Sequence, residues 1–318
     1  MEASESEVSA APGFSLSMAS VALAAEPVKV SGDISVKYER DTFEGIPSDS
    51  GTMYSVKLMG EAELGSDWTL YARLGAQHAT NPLFADFNTD AYAADKKTVV
   101  ALDQFGLIYK ADDFTYKLGR QDVAVGATAL LYSRPESNIG KKQFVNGITV
   151  SGTSGVTDLS LVAAREDNVV GNSNNKLYAI RAGYSPRENL SLGLTLGRYS
   201  SEESTNHWAV DGTYKLGKSS LTAEHTKSSS SDSNKAYTMT LNYNFNDKTS
   251  TYITGFRVEA NGSMGGQSDF DADNHGTFYG ISHKMTDAAS LEVVYKDQKT
   301  IGTGEKNTKF EATINYTF

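Results

Sequence analysis

Residues 309–318 read KFEATINYTF, so Phe310, Ala312, Ile314, Tyr316 and Phe318 alternate with Lys309, Glu311, Thr313, Asn315 and Thr317. Side chains along a strand point to opposite faces in turn, so this run has one apolar face and one wet face. The pattern stands at the C-terminus, ends in an aromatic residue, and returns along the chain in pieces of about ten residues. No stretch approaches the roughly 18 consecutive apolar residues that a membrane helix needs. A mean hydropathy of −0.39 would by itself suggest an ordinary water-soluble chain. A strand that is oily on one side and polar on the other escapes that test. The reading is therefore all-β: a transmembrane antiparallel barrel with lipid outside and water inside.

Walking from Val28 to Phe318 gives about sixteen such segments. Val28–Glu39, Tyr54–Leu64, Trp68–Gln77, Ala101–Lys110 and Phe114–Gln121 come first. Phe144–Ser151, Thr157–Arg165, Leu177–Tyr184, Leu190–Tyr199, Trp208–Leu216 and Leu221–Thr226 follow. Tyr237–Phe245, Tyr252–Val258, Thr277–Met285, Leu291–Lys296 and Phe310–Phe318 close the series. Connections alternate between tight turns and longer polar segments, as expected of short periplasmic turns and long extracellular loops. Aromatic residues collect at strand ends, with Trp68, Tyr109, Phe114, Tyr184, Tyr214, Phe245, Tyr316 and Phe318 beside short turns. Tyr38, Trp208, Tyr237 and Phe310 mark the other rim, so the two sets read as interfacial girdles.

Residues 1–26 are of another kind. Glu2, Glu5 and Glu7 precede a short apolar stretch ending Ala22-Leu23-Ala24-Ala25. This is a leader remnant lacking its basic start, or a disordered tail, and it is set apart from the barrel of residues 27–318. The chain contains no cysteine, which removes disulfides, thiolate catalysis and Cys-bound metals. A net charge of −10 argues against a nucleic-acid partner.

Phe105 to Asp122 reads FGLIYKADDFTYKLGRQD and leads into the longest connection, residues 122–143. The stretch resembles the general trimeric porins of Gram-negative outer membranes, in which a strand ending Gly-Arg-Asn or Gly-Arg-Gln precedes a loop folded into the lumen. Here Gly119-Arg120-Gln121 matches the strand end, Arg134-Pro135-Glu136 resembles the loop, and Tyr71-Ala72-Arg73-Leu74-Gly75 is similar to a further strand. The opening VKVSGDISVKYERD is also similar to the barrels of S-layer-homology porins, without their wall-binding domain. The resemblance implies a homotrimer in the outer membrane that passes small hydrophilic solutes and ions and is inserted by the outer-membrane assembly machinery. It makes Arg120 and Glu136 candidates for the pore constriction, with Arg73 beside them, and Phe318 with Tyr316 the assembly signal.

Alternation by itself sends Lys57, Arg73, Lys117, Arg181 and Arg257 into the lumen, together with Asp158, Asp211, Glu224, Glu292 and Glu311. Opposed charges across a narrow bore order water and favour polar solutes, and the acidic excess suggests a weak cation preference. Arg120 sits in the outward phase with Phe114, Tyr116 and Leu118, so its assignment requires the chain to bend inward.

Other chemistry finds little support. The five histidines have no metal-protease spacing, and only His207 and His283 are conceivable partners in a rim active site, so no enzyme and no cofactor are expected. Asp269, Asp271 and Asp273 begin like a calcium loop, but Asn274 and Gly280 stand where glycine and glutamate are required. A solvated loop is the reading there, with a divalent site as the alternative. Ile301 to Lys306 is a hairpin tip and not a phosphate loop. The competing functions are a closed structural or adhesive barrel and a substrate-specific channel, the latter calling for aromatic tracks beyond the inward Tyr71 and Tyr199.

Overall fold

The computed structural model describes residues 28–87, 96–140, 143–167 and 175–318. The segment read as leader or tail lies outside the described residues. Strands run β1 Lys29–Phe43, β2 Asp49–Gly65, β3 Trp68–Ala79, β4 Thr98–Ala111, β5 Phe114–Gln121, β6 Val123–Val125, β7 Tyr132–Arg134, β8 Val145–Ser154 and β9 Thr157–Glu166. They continue as β10 Lys176–Arg187, β11 Leu190–Ser200, β12 Ser204–Leu216, β13 Ser219–Ser228, β14 Lys235–Asn244, β15 Thr249–Val258, β16 Asn274–Lys284, β17 Ala289–Thr300 and β18 Lys306–Thr317. All except β6 and β7 form one closed barrel of sixteen antiparallel strands, each hydrogen-bonded to its neighbour in sequence and β1 to β18.

Closure rests on the alternation itself. Ile34, Leu58, Leu194, Val210, Leu241, Ile253, Ile281 and Ile314 lie exposed on the outer face, as a lipid-facing wall requires. At the seam, the Gly32 and Phe318 backbones exchange two hydrogen bonds, each of 3.0 Å. The Phe318 ring lies over the open side of Gly32 and stacks with Tyr316 at 6.4 Å. Trp68 stacks on Tyr109 at 4.6 Å beside the short turns, and Tyr38 meets Phe310 at 6.4 Å at the other rim. Both girdles are thus present.

The loop-length contrast is less regular than expected. Ser201–Glu203 alone joins β11 to β12 on the long-loop side, because both strands run on past the apolar band and absorb the connection. The loop between β5 and β8 instead turns inward. Val123, Val125, Leu131 and Tyr132 pack against Val145, Val162, Ala164, Ala179 and Ala209 of the inner wall, forming a core inside the lumen.

Candidate pore constriction

The third long loop, in its described residues 122–140, folds into the lumen as the hairpin β6–β7 and is tied down at three places. At its tip, Glu224 of β13 accepts hydrogen bonds from the Thr128 backbone N–H and hydroxyl, both 2.7 Å. Gly126 there has φ 96, and a Cβ at that position would run into the Glu224 carboxylate. At its base, the buried Glu166 accepts from Tyr132 (2.9 Å), Tyr199 (3.0 Å) and Asn175 (3.0 Å), with Arg134 at 3.4 Å. On the returning limb, Arg73 donates to the carbonyls of Glu136 and Asn138, both at 2.7 Å.

That third tie corrects the sequence reading of Arg73. The side chain does project inward, but the loop covers it to 1% exposure. There it forms a two-pronged pair with Asp103 (2.8 and 3.0 Å) and lies 4.8 Å from the Phe144 ring centre. An arginine so enclosed presents no charge to the bore; it is a clamp. Asp103 reaches it through a β-bulge, where Arg73 pairs with Gln104 and Leu74 with Leu102, leaving Asp103 as the extra residue. Sequence reasoning passed over Asp103. Its signal was a slip in parity: Leu102 and Phe105 both face out, three residues apart.

Arg120 is also corrected. It pairs with Phe105 and Asn146 on the outward face, 5.2 Å above the Phe105 ring. It donates to Asn146 (3.3 Å) and Asp167 (3.0 Å). The expected inward bend is absent; Gly119 takes φ 124 against the Phe105 backbone, and the Tyr71 hydroxyl, lying over Gly106, donates to the Arg120 carbonyl at 3.1 Å. Arg257 is outward too, paired with Tyr237 and His275, because β15 sends Phe256 and Val258 to the inside.

Lys57 and Lys117 face inward as expected. Lys57 lies 3.3 Å from Asp33, and Lys117 donates to Asp122 at 2.9 Å over the Tyr71 ring. Lys57 belongs to a larger array on β1, β2, β17 and β18. Lys37 meets Glu39 (3.4 Å) and Asp86 (2.7 Å), Lys309 meets Glu39 (2.7 Å) and Asp41 (3.5 Å), and Lys296 meets Glu311 (3.0 Å). The Lys37, Lys296 and Lys309 side chains stay 24–25% exposed and Lys57 14%, against 1% for Arg73, so water reaches this wall and not the clamp. Glu136 is exposed at the edge of the loop, and its carboxylate has no hydrogen bond or ion pair among the described residues. Arg181 and Asp211 form a two-pronged pair at 2.6 and 3.1 Å on the opposite wall.

A second loop, residues 259–273, also enters. Its Met264 N–H donates to the Leu131 carbonyl (2.8 Å), and Gln267 accepts from the Ser133 N–H (3.1 Å), extending the inserted hairpin. Leu130 and Phe270 pack with Phe256 and Phe278. Asp269, Asp271 and Asp273 do not converge: Asp271 accepts from Gln298 at 2.6 Å, while the Asp273 carbonyl accepts from the Ile301 N–H at 2.7 Å. No group of three metal-ligating side chains occurs among the described residues. His207 bonds Thr205 and His283 bonds Thr249, neither with a carboxylate partner. Tyr71 and Tyr199 are buried under the loop, so neither starts an aromatic track.

A family model described as Gram-negative porin matches residues 9–318. No curated protein matches the chain. Among solved structures, an engineered protein described by its asymmetric conductivity superposes with a TM-score of 0.61 at 15% identity, covering 92% of this chain and 100% of that one. A mutant of the Rhodopseudomonas blastica porin gives 0.60 at 14%, with the same coverage. A triple mutant of that porin also gives 0.60 at 14%, over 92% and 100%.

Proposed function

The chain belongs to the Gram-negative porin family, an outer-membrane β-barrel channel, and from that premise we propose how its bore selects what passes. The open path runs between the inserted loop and the β1–β2–β17–β18 wall. The observation that carries this is the contrast in exposure between the lysine–carboxylate array and the covered Arg73. Small hydrophilic solutes and ions diffuse through that gap without a binding step, and the field across it holds water in place of apolar solutes.

On the array, Asp33, Glu39, Asp41, Glu292 and Glu311 outnumber Lys37, Lys57, Lys296 and Lys309, and the exposed Glu136 of the loop adds one more negative charge. The bore therefore favours cations modestly. The protein works as a homotrimer, and the seam residue Phe318, with Tyr316, is the strand end that the assembly machinery reads. In planar bilayers under a salt gradient, the wild-type reversal potential takes the sign for cation preference and E136Q moves it toward zero. An anion-selective wild type, or an unmoved E136Q, refutes the assignment.

A further inference from the structure

The lipid-facing surface is electrically lopsided. On the long-loop side Arg120, Arg165, Lys176, Arg198, Arg257 and Lys299 all occupy outward register positions. On the turn side, among the described residues, Arg187 alone does so, beyond an irregularity at the end of β10. The cations also step through the register. Arg165 stands directly opposite Lys176, whereas Arg198 stands one outward position lower, opposite Tyr178. Tilted strands must step in this way to keep residues at one height in the membrane.

Two members of the row have an acidic partner: Arg120 has Asp167 at 3.0 Å and Arg257 has Glu259 at 3.5 Å. Arg165, Lys176 and Arg198 do not. All three are exposed and carry no ion pair or side-chain hydrogen bond among the described residues. Directly below them is a shallow groove of about 430 Å³, walled by Leu161, Ala163, Tyr178, Ile180 and Leu196 with Arg198 on its edge. The next two outward rows down from the Arg165–Lys176 pair are thus Ala163–Tyr178–Arg198 and Leu161–Ile180–Leu196.

This layout is amphiphilic on the scale of one lipid. Uncompensated cations at a hydrocarbon boundary are costly unless an anion meets them. A zwitterionic headgroup brings its own cation into the cluster. A phosphate monoester brings close to two negative charges and three acceptor oxygens, which suit two guanidinium forks and an ammonium. We propose that Arg165, Lys176 and Arg198, with the groove beneath, bind one lipid bearing a phosphate monoester headgroup in the leaflet on the long-loop side.

Native mass spectrometry of the detergent-purified, folded oligomer tests this, with phosphatidic acid, phosphatidylcholine and inorganic phosphate as probes. Phosphatidic acid is retained over phosphatidylcholine at equal concentration, and each of R165Q, K176Q and R198Q weakens retention about fivefold. The turn-side control K248Q leaves it unchanged, and inorganic phosphate does not displace the lipid. Heat-modifiable gel mobility confirms that every variant scored is folded. Equal retention of phosphatidylcholine, wild-type retention in all three variants, or displacement by equimolar phosphate overturns the proposal. A change of oligomeric state with lipid binding intact also overturns it, since the face would then meet another copy of the chain.

Discussion

Arg73 and Arg120 flank the same inserted loop, yet burial and parity give them unrelated work. Arg73 is enclosed with Asp103, and removing one member of such a pair leaves the other charged and desolvated, at a cost of about 3–5 kcal/mol. R73A therefore lowers the temperature of the heat-modifiable mobility shift and, by freeing the Glu136 and Asn138 carbonyls, makes single-channel current noisier. R73K recovers only part of this, because an ammonium cannot span both carboxylate oxygens and two carbonyls. R120A, by contrast, removes a charge from the lipid face and leaves the reversal potential where it was. A shift with R120A as large as that with E136Q contradicts the outward placement. The sequence carried the parity of Arg120 plainly, and the family motif pointed the other way; parity prevailed, since a single outward residue flips only where a bulge or bend supplies the extra step. Such a step exists one strand earlier, at Asp103, where nothing but the Leu102–Phe105 spacing marked it.

At the scale of elements, the strands were legible because nearly every one alternates along its length, and all sixteen segments read from the sequence form barrel strands. The inserted loops were less so. Their inward course depends on contacts far apart in the chain, such as Thr128 with Glu224, which no local period records. The entry of residues 259–273 was missed for the same reason; their aspartates looked like a solvated loop. Burial raises the Asp269 carboxyl above its ordinary value of 3.8, against the opposing charge of Lys296. A raised value means that the docked loop favours the protonated acid. Docking is thus firmest below pH 3.8 and weakens as pH climbs through the raised value. Current noise should fall as pH drops toward 3.8, and D269N should be quiet throughout. Noise that falls equally in D269N and wild type assigns the effect to other groups.

At the scale of the whole molecule, the barrel is one sheet with a single seam, and Phe318 and Gly32 hold its turn-side end. Deleting Phe318 removes two backbone hydrogen bonds and the ring over Gly32, so the yield of heat-modifiable protein in the membrane falls severalfold; unchanged yield excludes a seam or signal role. The bore, not the wall, decides function. A barrel of this size closed by its loops would serve only as a scaffold, whereas the exposed lysine–carboxylate array makes it a water path. Single-channel recording of the purified protein in planar bilayers tests that most directly. Stepwise, ohmic conductance rising in proportion to bath salt is the result expected, and folded, heat-modifiable protein that inserts yet passes no current contradicts the account.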